Sequence, residues 1–170
     1  MSTHNINQYL KQEEDKIWQT LASVYDPEVP VLSVLDLGII RAVEAQLTDN
    51  NSIQANITIT PTYTGCPAMD MISMNIRMAL MESGIKEIFI QTVLSPAWTT
   101  DWMTEAGKKK LTEYGIAPPN PTMTIPHDGV PCPRCQSINT KLLSEFGSTA
   151  CKSLYQCQDC MEPFDYFKCH

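Results

Sequence analysis

Residues 53–84, IQANITITPTYTGCPAMDMISMNIRMALMESG, change period halfway along. In the first half Ile53, Ala55, Ile57 and Ile59 alternate with Gln54, Asn56, Thr58 and Thr60, the period of a half-buried strand. In the second half Met69, Ile72, Ile76, Ala79 and Leu80 fall on one helical face, and Gly84 stands where a glycine closes a helix. Between them lies TPTYTGCP, with Thr60, Thr62 and Thr64 leading into Cys66. Proline is favoured at the first helical position, so Pro67 sets Cys66 at or beside the N-cap. Unpaired backbone N–H groups and the positive end of the helix dipole meet the thiol there. Both favour the thiolate, the form that attacks or ligates.

Upstream, Ile17, Leu21 and Val24 share a face of a helix that begins near Glu13 and ends at Asp26-Pro27, because the residue before proline is pushed out of the helical region. Residues 1–12 read as polar and loose. After DPEVPVLSVLDLG, a strand over 39–47 forms a hairpin with 53–60 around TDNNS. A third strand covers 87–94, and a helix starting near 99–101 turns Trp102, Ala106, Leu111 and Tyr114 one way and stops at Gly115. The fold class is α/β (α+β): a small mixed sheet packed by helices, followed by a C-terminal zinc-ribbon module. The expected division is a first domain over 1–117, a proline-rich linker over 118–129 with a short strand at 123–125, and the ribbon over 130–170.

A length of 170 residues allows one ordinary domain and a small module. The net charge of −7 is uneven. Residues 1–125 hold 8 Lys/Arg against 14 Asp/Glu, and residues 126–170 hold 4 against 5. A basic surface, the usual start of nucleic-acid binding, is missing, so protein or small-molecule partners are expected and nucleic acid is not. No apolar run approaches the ~18 residues of a membrane span, and the first residues lack the pattern of an export signal. The expectation is therefore a cytoplasmic protein with no membrane partner. Seven cysteines, an odd number in a chain of that kind, point to metal ligation and reactive thiols rather than a disulfide framework.

Cys132-Pro133-Arg134-Cys135 and Cys157-Gln158-Asp159-Cys160 are two C-x-x-C knuckles 21 residues apart. This spacing lets two tight turns present four sulfurs tetrahedrally at about 2.3 Å from one Zn²⁺. A module so small lacks an adequate core, and a structural zinc would supply much of its folding energy. A rubredoxin-like iron site and a redox dithiol are the rival readings. Cys151 reads as a half-buried hairpin thiol and Cys169 with His170 as a frayed tail, although an end residue could replace a knuckle ligand.

Cys66 admits two readings. It is a capping or core thiol, with Asp26, Glu28 and Asp36 as cap and turn residues. Alternatively, thiolate, carboxylates and threonine hydroxyls hold iron or a transient cluster. Met69, Met71, Met74, Met78 and Met81 read as core and adaptable surface, with partner binding as the alternative. Trp98 and Trp102 read as core or as an exposed anchor for a partner. His4 and His127 fall in loops. No phosphate loop and no grouping of acid, base and nucleophile appears, so the residues do not support catalysis by this chain alone.

DPEVPVLSVLDLGII, the threonine-rich strand into TGCP, and LSPAWTTDWM together resemble the SufT-like family of iron–sulfur cluster assembly domains over roughly residues 13–115. The resemblance implies a compact α/β domain, a functional cysteine at Cys66 and acidic motif positions at Asp26, Glu28 and Asp36. It thereby makes Cys66 a candidate to hold or pass iron or a cluster, with Thr60 and Thr62 beside it and the 26–36 loop shaping the pocket. The ribbon ending in CMEPFDYFKCH marks one branch, which serves a multicomponent phenylacetyl-CoA epoxidase of aerobic phenylacetate catabolism. For that branch the resemblance implies an accessory role in assembling or inserting the iron–sulfur cluster of the reductase component. Its partners would be the reductase and other epoxidase components, with a permanent structural subunit as the alternative. Open sheet edges add the expectation of a homodimer.

Overall fold

The alternating residues at 53–59 form the central strand of a three-stranded sheet in a computed structural model that describes residues 3–119 and 129–168. β1 (Ile40–Leu47) and β2 (Ile53–Ile59) pair antiparallel, with a register shift between Ile40 and Ala42. Their turn is closed by Thr48 N–H on Ser52 O (3.0 Å) and Asn51 N–H on Thr48 O (2.9 Å). Asn51 takes φ 58, a left-handed conformation that asparagine tolerates. β3 (Glu87–Thr92) lies on the other side of β2 and runs parallel to it. A tight turn cannot join parallel neighbours, so the chain crosses through a helix, α2 (Ala68–Glu82). Ala68, Ile72, Ile76 and Leu80 are its buried residues; Met69 and Ala79, expected on the same face, are half-buried at its margins. Gly84 N–H reaches Met81 O (3.0 Å) with the glycine at φ 98, the closure expected of a residue without a side chain.

α1 (Thr3–Leu21) packs on β1 and α2, with Ile17 and Leu21 fully buried. It begins ten residues before the Glu13 read from the sequence. Ile6 and Leu10, half-buried, extend the stripe of Ile17 and Leu21 at helical spacing, but only two apolar residues carry that signal among polar ones. β3 ends at Thr92 rather than Leu94.

The described residues divide into two units, Met1–Trp98 and Thr99–His170. In the second, the expected single helix is two pieces. A 3₁₀ turn (Thr100–Trp102) is followed by extended Met103 and Thr104, and then by α3 (Glu105–Tyr114). The Thr104 hydroxyl caps α3 by accepting Gly107 N–H at 2.9 Å. That break resets the helical frame, so Gly107 and Leu111 are buried while Ala106 and Tyr114 are exposed. The sheet of this unit runs in the order β4 (Ile116–Ala117), β7 (Pro163–Phe167), β6 (Lys152–Cys157), β5 (Thr140–Ser144). β4 pairs parallel with β7, so this unit takes in residues that the sequence reading set before the linker. The core is Ala117, Val130, Cys132, Tyr155, Cys157, Phe164 and Tyr166, with Tyr155 stacked on Phe164 and edge-on to Tyr166 at 5.9 Å each. The expected strand at 123–125, His127, Cys169 and His170 lie outside the described residues, as does the side chain of His4.

The two faces of α2 should respond differently to truncation. Ile76→Ala is expected to cost about 2–5 kcal/mol, because a buried side chain is lost and a cavity left. Met78→Ala is expected to stay within about 0.5 kcal/mol. Guanidinium denaturation midpoints measure both.

Candidate functional site

Each knuckle of the second unit is a tight turn closed by its own backbone. Cys132 N–H donates to Ser137 O and Gln136 N–H to Cys132 O, both at 2.9 Å; Cys157 N–H donates to Glu162 O at 2.9 Å. The residues after the second cysteines, Gln136 and Met161, take φ 64 and 63, the left-handed turn that swings both sulfurs to one side. Cys132 and Cys157 are buried in the core, and Cys135 and Cys160 face outward. Across the knuckles Cys132 Sγ lies 3.7 Å from Cys160 Sγ, and Cys135 Sγ lies 3.5 Å from Cys157 Sγ. All four sulfurs are within 4.8 Å of one another. Thiolates 2.3 Å from one tetrahedral ion stand about 3.8 Å apart, so the two short cross-knuckle pairs match that spacing and the remaining pairs need shifts of at most about 1 Å.

The four thiols do not share one proton affinity. Cys160 N–H, 3.5 Å from Cys157 Sγ, and the Asp159 N–H outweigh burial and lower the Cys157 thiol to about 7. At Cys135 the Ser137 N–H favours the thiolate, but burial and the Cys157, Cys160 and Cys132 sulfurs push the thiol up to about 12. Cys160 is raised too: the Glu162 N–H favours its thiolate, and burial with the Cys157 and Cys132 sulfurs outweighs it. One thiolate thus disfavours its neighbours, and a cation bound among the sulfurs would remove that repulsion. Around the sulfurs, Asp159 accepts from Ser137 Oγ (2.5 Å) and Asn139 Nδ2 (2.8 Å), which holds its carboxyl below the usual range. Arg134 reaches from one knuckle to Glu162 beside the other at 2.5 Å. Ser137, Asn139 and Glu162 had no signal in the sequence, since only the folded turns bring them together. Cys151 is buried, with its sulfur 3.0 Å from Thr149 Oγ1, and stands outside the four-sulfur group.

In the first unit Cys66 is half-buried one residue before Pro67, the N-cap of α2. Its N–H donates to Tyr63 O, and its carbonyl accepts Met69 N–H, both at 3.3 Å. Thr60 follows the last residue of β2 and is 1% exposed; its hydroxyl has no hydrogen-bond partner among the described residues. Thr62 is half-buried in the loop between them. The acids act on their own loop. Asp26 Oδ1 accepts the N–H groups of Glu28 (2.6 Å) and Val29 (2.9 Å). Asp36 Oδ2 accepts Ser33 N–H (3.0 Å) and Ser33 Oγ–H (2.9 Å), while Ser33 Oγ accepts Asp36 N–H (3.0 Å). That reciprocal pair is a capping box, and the S-x-x-D spacing of Ser33 and Asp36 was its signal in the sequence. Glu28 is half-buried. Among the described residues, only the four ribbon cysteines bring three or more metal-binding side chains together; Cys66 with Asp26, Glu28 and Asp36 does not form such a group. Trp98 is buried and ties this loop down, its Nε1–H donating to Leu37 O at 2.9 Å. No helix among the described residues is long and apolar enough to cross a membrane.

Comparison with known proteins places both sites in families. Residues 14–88 match the iron–sulfur cluster assembly protein family, and residues 117–168 match the PaaD zinc beta ribbon domain. An Escherichia coli protein provisionally named as a subunit of 1,2-phenylacetyl-CoA epoxidase is 48% identical over 91% of this chain and 92% of its own length. A Porphyromonas gingivalis protein named Fe-S protein maturation auxiliary factor is 37% identical over 62% of this chain and 95% of its own. The crystal structure of a domain of unknown function, DUF59, from Bacillus anthracis matches with a TM-score of 0.56 at 29% identity, covering 62% of this chain and 96% of that one.

Metal retention at the four sulfurs should fall as pH falls. Protons and the ion compete for the same lone pairs, and a thiol such as Cys135, protonated at neutral pH without the ion, must lose its proton to bind it. A chromogenic chelator should find the ion held at about pH 7.5 and released toward about pH 5, with Cys135→Ser moving release to higher pH. Gln136→Gly should raise ribbon stability by up to about 1 kcal/mol, because φ 64 costs a residue with a side chain more than glycine. Thermal melting of the metal-loaded chain measures it.

Proposed function

Since the chain belongs to the iron–sulfur cluster assembly protein family, in a branch that carries the PaaD zinc beta ribbon, we propose that it is an accessory maturation protein for a phenylacetyl-CoA epoxidase. Its task is to assist assembly or insertion of the iron–sulfur cluster of the reductase component. Cys66 holds or passes the iron or cluster, with Thr60 and Thr62 beside it. The ribbon carries structural Zn²⁺ at Cys132, Cys135, Cys157 and Cys160 and orients the client.

The observation that carries this reading is the hinge between β2 and α2. Cys66 is half-buried there, outside the ribbon's sulfur group, and Thr60, just after the end of β2, holds a buried hydroxyl with no hydrogen-bond partner among the described residues. A buried polar group of this kind is costly unless something binds it. The relatives named as Fe-S protein maturation auxiliary factors support the same reading. Asp26 and Asp36 shape the loop through backbone hydrogen bonds, and in this reading they act as positioning residues.

A second reading, a permanent docking subunit with no part in cluster transfer, is favoured by the naming of the E. coli relative as a subunit. Iron and acid-labile sulfide in the reductase separate the two. Co-expression with the intact chain should give high cluster occupancy. Cys66→Ser should lower it to the level without the chain, while circular dichroism of the variant stays unchanged. Equal occupancy in all three samples would favour the docking subunit.

A further inference from the structure

α2 is apolar on two sides. Ala68, Ile72, Ile76 and Leu80 form its core face. Nearly opposite, Met71, Met74, Met78 and Met81 are 50, 57, 54 and 61% exposed. A surface helix ordinarily turns charged and polar residues to solvent on that side. A contiguous apolar stripe over three turns marks a contact surface instead, and unbranched methionine packs readily against whatever meets it.

The spacing of the stripe suits a second copy of the same helix. Its steps are three, four and three residues, the a/d pattern of a helix–helix seam, and they read the same in both directions. A closed dimer needs a patch complementary to itself. A two-fold axis crossing the helix at the level of Ile76 sets Met71 against Met81 of a second copy and Met74 against Met78. No like charges are forced together. Asn75, beside the axis, meets its own counterpart, and an amide both donates and accepts. Arg77, on the other flank, is drawn away to Ile88 O at 2.6 Å. Asp70 and Glu82 lie about 18 Å apart along the helix and on opposite flanks, so neither faces an acid of the other copy.

We propose that the methionine stripe of α2 is a self-pairing surface through which two copies of this chain associate antiparallel about a two-fold axis. Three helical turns bury less than the roughly 800 Å² per partner of a standard interface, so the association is reversible and concentration-dependent.

Sedimentation equilibrium of the full metal-loaded chain from about 10 μM to about 1 mM tests this. The mean mass should climb from 19.1 kDa toward double that value. Met74→Lys with Met78→Lys should abolish the rise. Replacing all four methionines by leucine should keep it, and circular dichroism should show every variant folded. Under mild oxidation, a mixture of M74C chains and M78C chains should yield the 74–78 cross-linked peptide in several-fold excess over either variant alone. A monomer throughout the range, a dimer indifferent to the two lysines, or cross-links without that pairing would each overturn the proposal.

Discussion

The parallel pairing of β2 with β3 sets the geometry of the first unit. Antiparallel neighbours are joined by a turn, as β1 and β2 are, but parallel ones need a crossing element that packs back on the sheet. α2 supplies it through Ile72, Ile76 and Leu80, and its start is thereby fixed at the carboxyl end of β2. In open sheets that end is where ligands are met, because loops there are anchored by strands on one side and helix N-termini on the other. The loop from Pro61 to Pro67 spans the gap between those anchors. Turn bonds from Cys66 to Tyr63 and from Met69 to Cys66 tighten it further, and the thiol is held half in and half out of solvent.

A different force organises the second unit. Its core has few residues, and two of them, Cys132 and Cys157, also belong to the four-sulfur group suited to a metal ion. The residues that fill the core are thus among those that gather the four sulfurs. Tyr155, Phe164 and Tyr166 pack against the inner sulfurs, while the outer pair, Cys135 and Cys160, is reached by solvent. The ion pair between Arg134 and Glu162 is exposed and adds little stability by itself; it acts on the register of the two knuckles. The short β4 completes the sheet through parallel pairing with β7.

Periodicity made β1, β2 and α2 legible, because each signal runs over seven residues or more and one face is largely buried. The knuckles were legible from four residues of each turn, since metal geometry leaves so few spacings. Shorter or broken signals failed. β4 is two residues long, below any period. Of the face expected for α3, Leu111 is buried but Ala106 and Tyr114 are not, because Met103 and Thr104 interrupt the helix and rotate the turns beyond them. The start of α1 was missed because Ile6 and Leu10 are sparse among polar residues. At the candidate site, Asp26 and Asp36 were legible as acids and Cys66 as a hinge thiol. Which oxygen meets which N–H depends on loop backbone that spacing cannot give.

The D-P-E and D-L-G elements show what that distinction means for chemistry. Asp26 gathers two amide N–H groups, and Asp36 exchanges bonds with Ser33, so each carboxylate shapes the backbone within three residues of itself. Trp98, far along the chain, then fixes the same loop from outside through Leu37 O. A carboxylate held by amide donors at one oxygen is a weaker candidate for a metal than an uncommitted one, since binding there competes with the bonds that keep the loop in place. The motif therefore encodes loop shape before it encodes ligands. The Cys66 thiol at the hinge and the buried Thr60 hydroxyl remain groups that no bond within the described residues explains, as does the Ser153 hydroxyl in the second unit.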